Sequence, residues 1–281
     1  MNGSAVAAAP IRLVLIGASG RMGTQILRRL PQTTGVRLAG AMVSERSAAL
    51  GCDAGVQAGI GAAGVLLSAQ LPPLLAKADV ALDFSTATAA AANLAACVAA
   101  GVPLLIGTTG LPASLDAPLA AAARRIALLV APNTSLGVNV LLELVRRAAQ
   151  ALPSSFDVEV LETHHRHKRD APSGTALALG GAAAEGRGRA LAEYACFTRP
   201  PPGAQRPDGQ IGFTVVRGGD VVGEHQVLFL GDGERLSLGH SATDRAVFAH
   251  GALVAAQWLA RRGPGHYRMA DVLSDKSVGY D

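Results

Sequence analysis

Ile11-Arg12-Leu13-Val14-Leu15-Ile16-Gly17-Ala18-Ser19-Gly20-Arg21-Met22-Gly23 is the stretch that decides the fold. Its first six residues form an apolar run of strand length, glycines follow at once, and a helical pattern then continues to Leu30. Glycine at 17, 20 and 23 lets the backbone turn tightly and approach a pyrophosphate, whose charge then sits on the N–H groups that open the helix. The spacing is a variant, since the strict G-x-G-x-x-G pattern would put glycine at Ser19 and Met22. An ordinary tight strand-to-helix turn would look much the same. Dinucleotide binding is favoured by position, because this is the first strand of a chain that goes on alternating strand and helix.

Val36 to Val43 reads as the second strand, ending at Ser44-Glu45-Arg46. In a dinucleotide fold this strand end meets the adenosine ribose, where an acidic residue selects a free 2′-hydroxyl and a basic one a 2′-phosphate. Val43 and Ser44 stand at the expected contact point with Glu45 and Arg46 just beyond, which leaves the choice between NADH and NADPH open, and Arg21 and Arg46 lean it towards NADPH. Further strands are expected at Ala78 to Asp83, at Leu104 to Ile106 and at Ile126 to Val130. Ser85 is the expected N-cap of an alanine-rich helix that stops at Gly101, and Pro112 opens another helix. The strands end in the small polar loops Asp83-Phe84-Ser85, Gly107-Thr108-Thr109-Gly110 and Ala131-Pro132-Asn133-Thr134. In an open parallel sheet such loops line the carboxyl edge, where ligands bind, and together they read as a nicotinamide pocket.

Composition sets the outer bounds. A chain of 281 residues, 49% hydrophobic and 16% charged, buries a full core and accommodates two domains. Met1 to Pro10 reads as a loose tail without the features of a secretory signal, and a cytoplasmic location is expected. The apolar region from Ala87 to Ile106 is interrupted by Asn93, Gly101 and Pro103, so it reads as helix, turn and strand and not as a membrane span. Cys52, Cys97 and Cys196 are odd in number and widely spaced, which argues against a disulfide framework or a zinc cluster. A net charge of +4 is modest, and nucleic acid is not an expected partner. The pairs Arg28-Arg29, Arg124-Arg125, Arg146-Arg147 and Arg261-Arg262 are read as helix-end residues complementing the helix dipole.

After a helix expected over Val138 to Leu152 the pattern changes. Phe156 to Glu162 reads as a strand running into Thr163-His164-His165-Arg166-His167-Lys168-Arg169-Asp170-Ala171-Pro172-Ser173-Gly174-Thr175, with a helix following from Ala176 to Glu185. Three of the seven histidines fall within four positions beside Lys168. Crowded cations repel and resist desolvation, so an anionic ligand is the simplest reason for them, with histidine and lysine available for proton transfer. A loop begins at Arg199-Pro200, and Ile211 to Arg217, Val221 to Leu230 and Arg235 to His240 then read as an antiparallel meander. Ser241 with Asp244 resembles a cap for a last long helix, Ala242 to Arg262. The expected fold class is therefore α/β: a Rossmann-like dinucleotide-binding domain of residues 1–134 and 241–281, plus an α+β domain of residues 135–240 with a mixed open sheet.

Taken together, the histidine stretch, Gly17 to Gly23, Gly107 to Gly110, Asn133 with Gly137-Val138-Asn139, and Arg217 with Gly223-Glu224-His225 resemble the 4-hydroxy-tetrahydrodipicolinate (dihydrodipicolinate) reductase family from about Ile11 to Leu273. The resemblance implies NAD(P)H-dependent reduction of a cyclic dicarboxylate in the diaminopimelate route to lysine, by a bacterial cytoplasmic homotetramer whose central domain binds substrate and makes the tetramer contacts. It implies that His164 donates or accepts the proton, that Lys168 is a second proton donor, and that His165, Gly174 and Thr175 hold the substrate carboxylates. It also implies cofactor contacts from Gly17, Ala18, Ser19, Gly20, Arg21 and Met22, from Gly107, Thr108 and Thr109, and from Ala131, Pro132, Asn133 and Thr134; the reading of the strand ends adds Phe84, Ser44 and Arg46 to these expected cofactor residues. Two positions depart from the family pattern: Val43-Ser44 stand where many members have an acidic residue, and Thr134 replaces a frequent phenylalanine.

Other readings compete with this one. His165 and His167 on one face of a strand would suit a metal, yet Lys168 and two arginines beside them oppose a cation, and no metal is expected. A non-catalytic dinucleotide-sensing module would need neither His164 nor Lys168, and a homoserine or aspartate dehydrogenase would share the two-domain plan. His225, His240, His250 and His266 are assigned structural roles, although His225 and His240 lie near strand ends.

Overall fold

The computed structural model describes residues 9–199 and 201–275, so Met1 to Ala8 of the expected tail, and Pro200, lie outside the described residues. The chain divides into two compact units. One is built from both ends, up to Ser135 and again from Ala246, and the other is Leu136–Arg245.

In chain order the first unit's strands are β1 (Ile11–Ile16), β2 (Val36–Met42), β3 (Leu67–Ser68), β4 (Val80–Asp83), β5 (Leu104–Ile106) and β6 (Ala127–Val130). The second unit's are β7 (Asp157–His164), β8 (Ala195–Cys196), β9 (Ile211–Arg217), β10 (Gly223–Gly231) and β11 (Glu234–Ala242), and β12 (Gly265–Tyr267) returns to the first. The first sheet runs β12-β6-β5-β4-β1-β2-β3 and is parallel throughout. Strand order reverses between β1 and β4, the switch point at which doubly wound sheets open a crevice for ligands.

Why these residues make this sheet follows from burial on both faces. β4 is buried at every position and β1 at all but Arg12, as parallel strands covered by helices on either side must be. Val14 and Ile16 enter a core with Leu71, Leu94, Leu104, Leu119 and Leu128, each fully buried aliphatic side chain contributing about 1.5–3 kcal/mol. Helix Arg21–Arg29 packs against helix Ala246–Leu259, which is buried almost all round and is a core helix, not an amphipathic surface one. That last helix starts four residues later than expected because β11 runs on to Ala242, paired with Gly223. Ser85 is likewise not an N-cap: helix Ala90–Ala100 starts after Ala89, and the Ser85 hydroxyl donates to Asp83 instead. Of the arginine pairs, Arg28 and Arg29 do occupy a last helical turn, whereas Arg146 and Arg147 pair with Glu143 at 2.7 and 2.6 Å, and the other two pairs lie beyond their helices.

The second sheet runs β11-β10-β7-β9-β8, with β7–β9 and β8–β9 parallel and the rest antiparallel. This mixed sheet corrects the expected meander. β10 and β11 do form a hairpin, but β7 inserts between β9 and β10, so those two never pair. Helices Leu136–Ala151 and Gly174–Gly186 cover one face, over Val158, Val160, Phe213, Val227 and Phe229. Strand β7 also reaches two residues further than expected and carries His164. Side chains alternate along a strand, so Val158, Val160, Glu162 and His164 form one row, and the last two continue the core face as polar groups.

Candidate active site

At the carboxyl edge of the first sheet each strand end is tied to its neighbour. The N–H groups of Gly17 and Ala18 donate to the Met42 carbonyl at 3.0 and 2.9 Å, that of Phe84 to Ile16 at 3.0 Å, that of Gly107 to Asp83 at 2.9 Å, and that of Ala131 to Ile106 at 2.9 Å. The loops after β1, β4, β5 and β6 therefore stand in one row.

The turn after β1 depends on glycine. Gly17 has φ +83°, and a Cβ there would lie 2.5 Å from the Phe84 carbonyl oxygen; a Cβ at Gly23 would lie 2.3 Å from the Gly17 oxygen. Only at that closeness can helix Arg21–Arg29 begin directly on the turn, and its N-cap, Gly20, offers no side-chain acceptor to the helix's first N–H groups. The result is a cradle that any side chain would fill, with a helix N-terminus aimed into it, which fits the pyrophosphate of a dinucleotide. Beneath it, fully buried Asp83 accepts from the Ser85 N–H (2.9 Å) and hydroxyl (2.6 Å) and from Asn93 (2.9 Å), while the Thr108 hydroxyl donates to the Asp83 carbonyl at 3.3 Å. Those bonds satisfy a carboxylate that would otherwise be costly to bury, and they join the Phe84-Ser85 loop to the Gly107–Gly110 loop.

The expected cofactor residues fall into two groups by exposure. Ser19, Gly20, Arg21, Ser44, Arg46, Thr109 and Pro132 are exposed along this edge, and Gly17, Met22, Phe84 and Asn133 are half-buried. Ala18, Gly107, Thr108, Ala131 and Thr134 are buried. Thr134 donates its hydroxyl to the Phe248 carbonyl at 2.7 Å, so that side chain anchors the return helix within the unit.

In the second unit the histidine stretch leaves β7 and is pinned against the turn before β10: the Gly218 N–H donates to His164 O at 3.0 Å, and the His165 N–H to Val221 O at 2.7 Å. His165 and His167 lie in this turn and not on a strand, with ring centroids 6.3 Å apart. Lys168 pairs with Asp170 at 2.8 Å, and Arg245 approaches His165 Nε2 at 3.2 Å. Ser173 then caps helix Gly174–Gly186, accepting from the Ala176 N–H at 3.1 Å, and leaves Gly174 exposed and Thr175 half-buried at the positive end of that helix.

Behind this surface lies a buried polar group. The Glu162 carboxylate is 2% exposed and accepts from the Ser173 N–H at 2.9 Å, from Arg217 at 2.8 and 3.0 Å, and from His164 Nδ1. His225 packs edge-on to His164, ring centroids 5.0 Å apart, with its Nε2 3.1 Å from the Ser173 hydroxyl. Burial pushes the Glu162 carboxyl up, but Arg217, the Ser173 N–H and His164 outweigh it and hold it below the ordinary carboxylate range. Burial lowers His164 against the opposing pull of Glu162, and it lowers His225 to about 4 with help from the neighbouring His164 charge. Glu162, His164 and His225 do bring three potential ligand atoms within 4.8 Å of one another. Yet the Glu162 oxygens already accept four bonds, about all a carboxylate can take, and Arg217 faces the same oxygens, so the group suits proton handling better than a cation.

Sequence reasoning did bring His164, His165, Lys168, Gly174 and Thr175 to one place. It missed Glu162, Ser173, His225 and Arg245 as members of the same group, and it assigned His225 a structural role. The available signal was parity: Glu162 and His164 extend the apolar row of β7, where two polar side chains need partners.

The chain is matched by two family models, one described as dihydrodipicolinate reductase, N-terminus, over residues 11–134, and one as dihydrodipicolinate reductase, C-terminus, over residues 137–273. It is 50% identical over 262 residues to the 4-hydroxy-tetrahydrodipicolinate reductase of Anaeromyxobacter dehalogenans (strain 2CP-1 / ATCC BAA-258), covering 93% of this chain and 97% of that one. It is 49% identical over 263 residues to the protein of the same name from Rhodopseudomonas palustris (strain BisB18), covering 94% and 97%. A dipicolinate-bound dihydrodipicolinate reductase from Paenisporosarcina sp. TG-14 shares the fold, with TM-score 0.74 at 24% identity over 92% of this chain and 97% of that one.

Proposed function

The chain belongs to the dihydrodipicolinate reductase family and reduces 4-hydroxy-tetrahydrodipicolinate, a small cyclic dicarboxylate, with NADH or NADPH in lysine biosynthesis, and on that premise we propose how its residues share the work. The first unit holds the dinucleotide through the Gly17–Met22 turn and the Gly107–Thr109 and Ala131–Asn133 loops; when bound, the reduced nicotinamide supplies the hydride. The second unit holds the substrate. His165 and the N-terminal end of helix Gly174–Gly186, with Gly174 and Thr175, neutralise its carboxylates. His164 delivers the proton that the reduced ring needs at a neighbouring carbon, and Lys168 is a second proton donor.

The observation that carries this reading is the continuity of one segment: a buried histidine on a carboxylate, a lysine four residues on, and a helix N-terminus capped by a residue bonded to that same carboxylate. Purified protein given aldolase-generated substrate is expected to oxidise NADPH or NADH, and Lys168→Ala to lower kcat about a hundredfold with dinucleotide affinity intact. Unchanged turnover would refute the role of Lys168, and absence of any NAD(P)H oxidation by the wild-type protein would refute the activity.

We further infer a preference for NADPH, supported by exposed Arg21 and Arg46 and the lack of an acidic residue at Val43-Ser44. A homotetramer is supported by the sheet face turned away from helices Leu136–Ala151 and Gly174–Gly186, where Leu161, Thr214, Val216, Gln226 and Leu228 alternate outward. Sedimentation as a monomer would overturn it. Among the described residues no helix is long and apolar enough to cross a membrane, which is consistent with the cytoplasmic location expected of this biosynthetic step.

A further inference from the structure

Building on the role assigned above to His164, we propose that Glu162 is the positioning residue of the reaction: it keeps a proton on His164 Nδ1, so that Nε2 is the atom that hands the catalytic proton over, and Arg217 with Ser173 holds Glu162 in place as a carboxylate.

Three independent features carry this. First, the Glu162 oxygens are filled by donors: the Ser173 N–H and one Arg217 nitrogen on Oε1 at 2.9 and 2.8 Å, and the other Arg217 nitrogen at 3.0 Å together with His164 Nδ1 on Oε2. A carboxylate bonded by a guanidinium at both oxygens has no proton to give, so Nδ1 must donate. Second, only a glycine fits beside the opposite ring nitrogen. Gly223 lies beside it, and a Cβ there would stand 3.0 Å from Nε2, closer than packed atoms ordinarily come. Third, the ring cannot rotate away, because His225 meets it edge-on at 5.0 Å and His225 is itself tied to the Ser173 hydroxyl. Ser173 thus fastens the proton-donating histidine and the Gly174-Thr175 helix start to one carboxylate, and this sets their separation.

The step balances without any further reactant. The Nε2–H bond of the His164 imidazolium breaks, its electron pair stays on nitrogen, and the proton bonds to the enamine carbon using the enamine's own pair. The neutral Nδ1–H imidazole left behind regains a proton from solvent. The charged and titratable groups facing His164 are Glu162 on its own strand, Lys168 in the following turn, Arg217 on β9 and His225 on β10. Of these, Glu162 favours the imidazolium, while Lys168 and Arg217 oppose it.

The test combines spectroscopy and kinetics. In wild-type protein labelled with ¹⁵N-histidine, and with His164 assigned from the spectrum of His164→Asn, the neutral ring is expected as the Nδ1–H tautomer; an Nε2–H tautomer would overturn the proposal, whatever the variants do. In Glu162→Gln, kcat is expected to fall about a hundredfold, the KM for dinucleotide to stay within about twofold, and the pKa above which kcat falls with rising pH to drop by about one unit, since the group favouring the imidazolium is gone. A merely structural role would lower the yield of active protein without moving that profile. Arg217→Gln, which leaves the carboxylate present but loosely held, is expected to give a smaller loss of kcat. The two readings fail differently. Full activity in His164→Asn sinks the role of His164, whereas an inactive His164→Asn beside a Glu162→Gln with the wild-type pH profile sinks the role of Glu162 alone.

Discussion

Replacing Gly17 by alanine tests whether the turn after β1 is built for a dinucleotide or merely permits one. Gly17 has φ +83°, and an added Cβ would sit 2.5 Å from Phe84 O, 2.7 Å from Phe84 C and 2.9 Å from Ser85 Cα. The positive φ costs about 1–2 kcal/mol for any L side chain. The overlap with backbone costs about 1–3 kcal/mol more if the loop holds its place. To relieve it, the Phe84-Ser85 segment must retreat by about 1 Å, and it cannot do so alone, because the Phe84 ring lies over Gly107, where a Cβ would be only 2.1 Å from Cε1. The displacement passes into the Gly107–Gly110 loop, and shifts of about 1 Å in a positioned site cost up to about a hundredfold. Gly51→Ala is the matched control: its φ is +80° with nothing within 4 Å of an added Cβ, so it carries the conformational cost without the collision. Thermal melts and fluorescence titration with NADPH on both variants should show Gly17→Ala with the larger fall in Tm and a Kd raised at least about tenfold, against wild-type affinity in Gly51→Ala. If Gly17→Ala melts with Gly51→Ala and binds NADPH normally, the close approach has no part in cofactor binding.

Three further outcomes are expected. Gly180 and Gly181 are neighbours in one helix, yet a Cβ at 180 would lie 2.4 Å from Phe213 Cζ and one at 181 meets nothing within 4 Å, so Gly180→Ala should lose about 1–3 kcal/mol and Gly181→Ala gain about 0.5–1 kcal/mol in urea unfolding. His225, lowered by burial from 6.5 to about 4, stays neutral in the folded chain while the unfolded chain protonates; stability is therefore complete above pH 6.5 and falls by up to about 3 kcal/mol as pH drops towards 4, and His225→Gln should flatten that part of the curve. Arg46→Ala should reduce the ratio of kcat/KM for NADPH to that for NADH by about three- to tenfold, and an unchanged ratio would remove Arg46 from cofactor choice.

How much could be read directly is seen best by comparing β1 with β7. The apolar run Ile11–Ile16, the glycines behind it and the helix after them are recognised from a pattern local to the chain, although their partners β4, Phe84 and helix Ala246–Leu259 are distant in sequence, and the switch-point position of that turn follows from strand–helix alternation. The β7 region was half legible. The residues of the His-His-Arg-His-Lys and Pro-Ser-Gly-Thr runs stood out as chemistry, but the strand's true end at His164 did not, because Glu162 and His164 break the apolar alternation by which strands are recognised. The same happened at Ser85 and Ser241, whose helix-cap appearance was overridden: Ser85 bonds to buried Asp83, and Ser241 pairs with Glu224 in the sheet.

The sequence by itself determined that two units exist, that the first is doubly wound, and which short segments carry the cationic and glycine-rich chemistry, since these depend on local pattern and periodicity. Only the tertiary structure decided the company His164 keeps. Placing β7 between β9 and β10 sets Arg217 opposite His164 on one side and His225 opposite Glu162 on the other. Strand order within a sheet is governed by which long connections close most favourably, a non-local choice that leaves no mark in the residues of any one strand, so the carboxylate that orients the proton donor becomes visible only once the sheet is assembled.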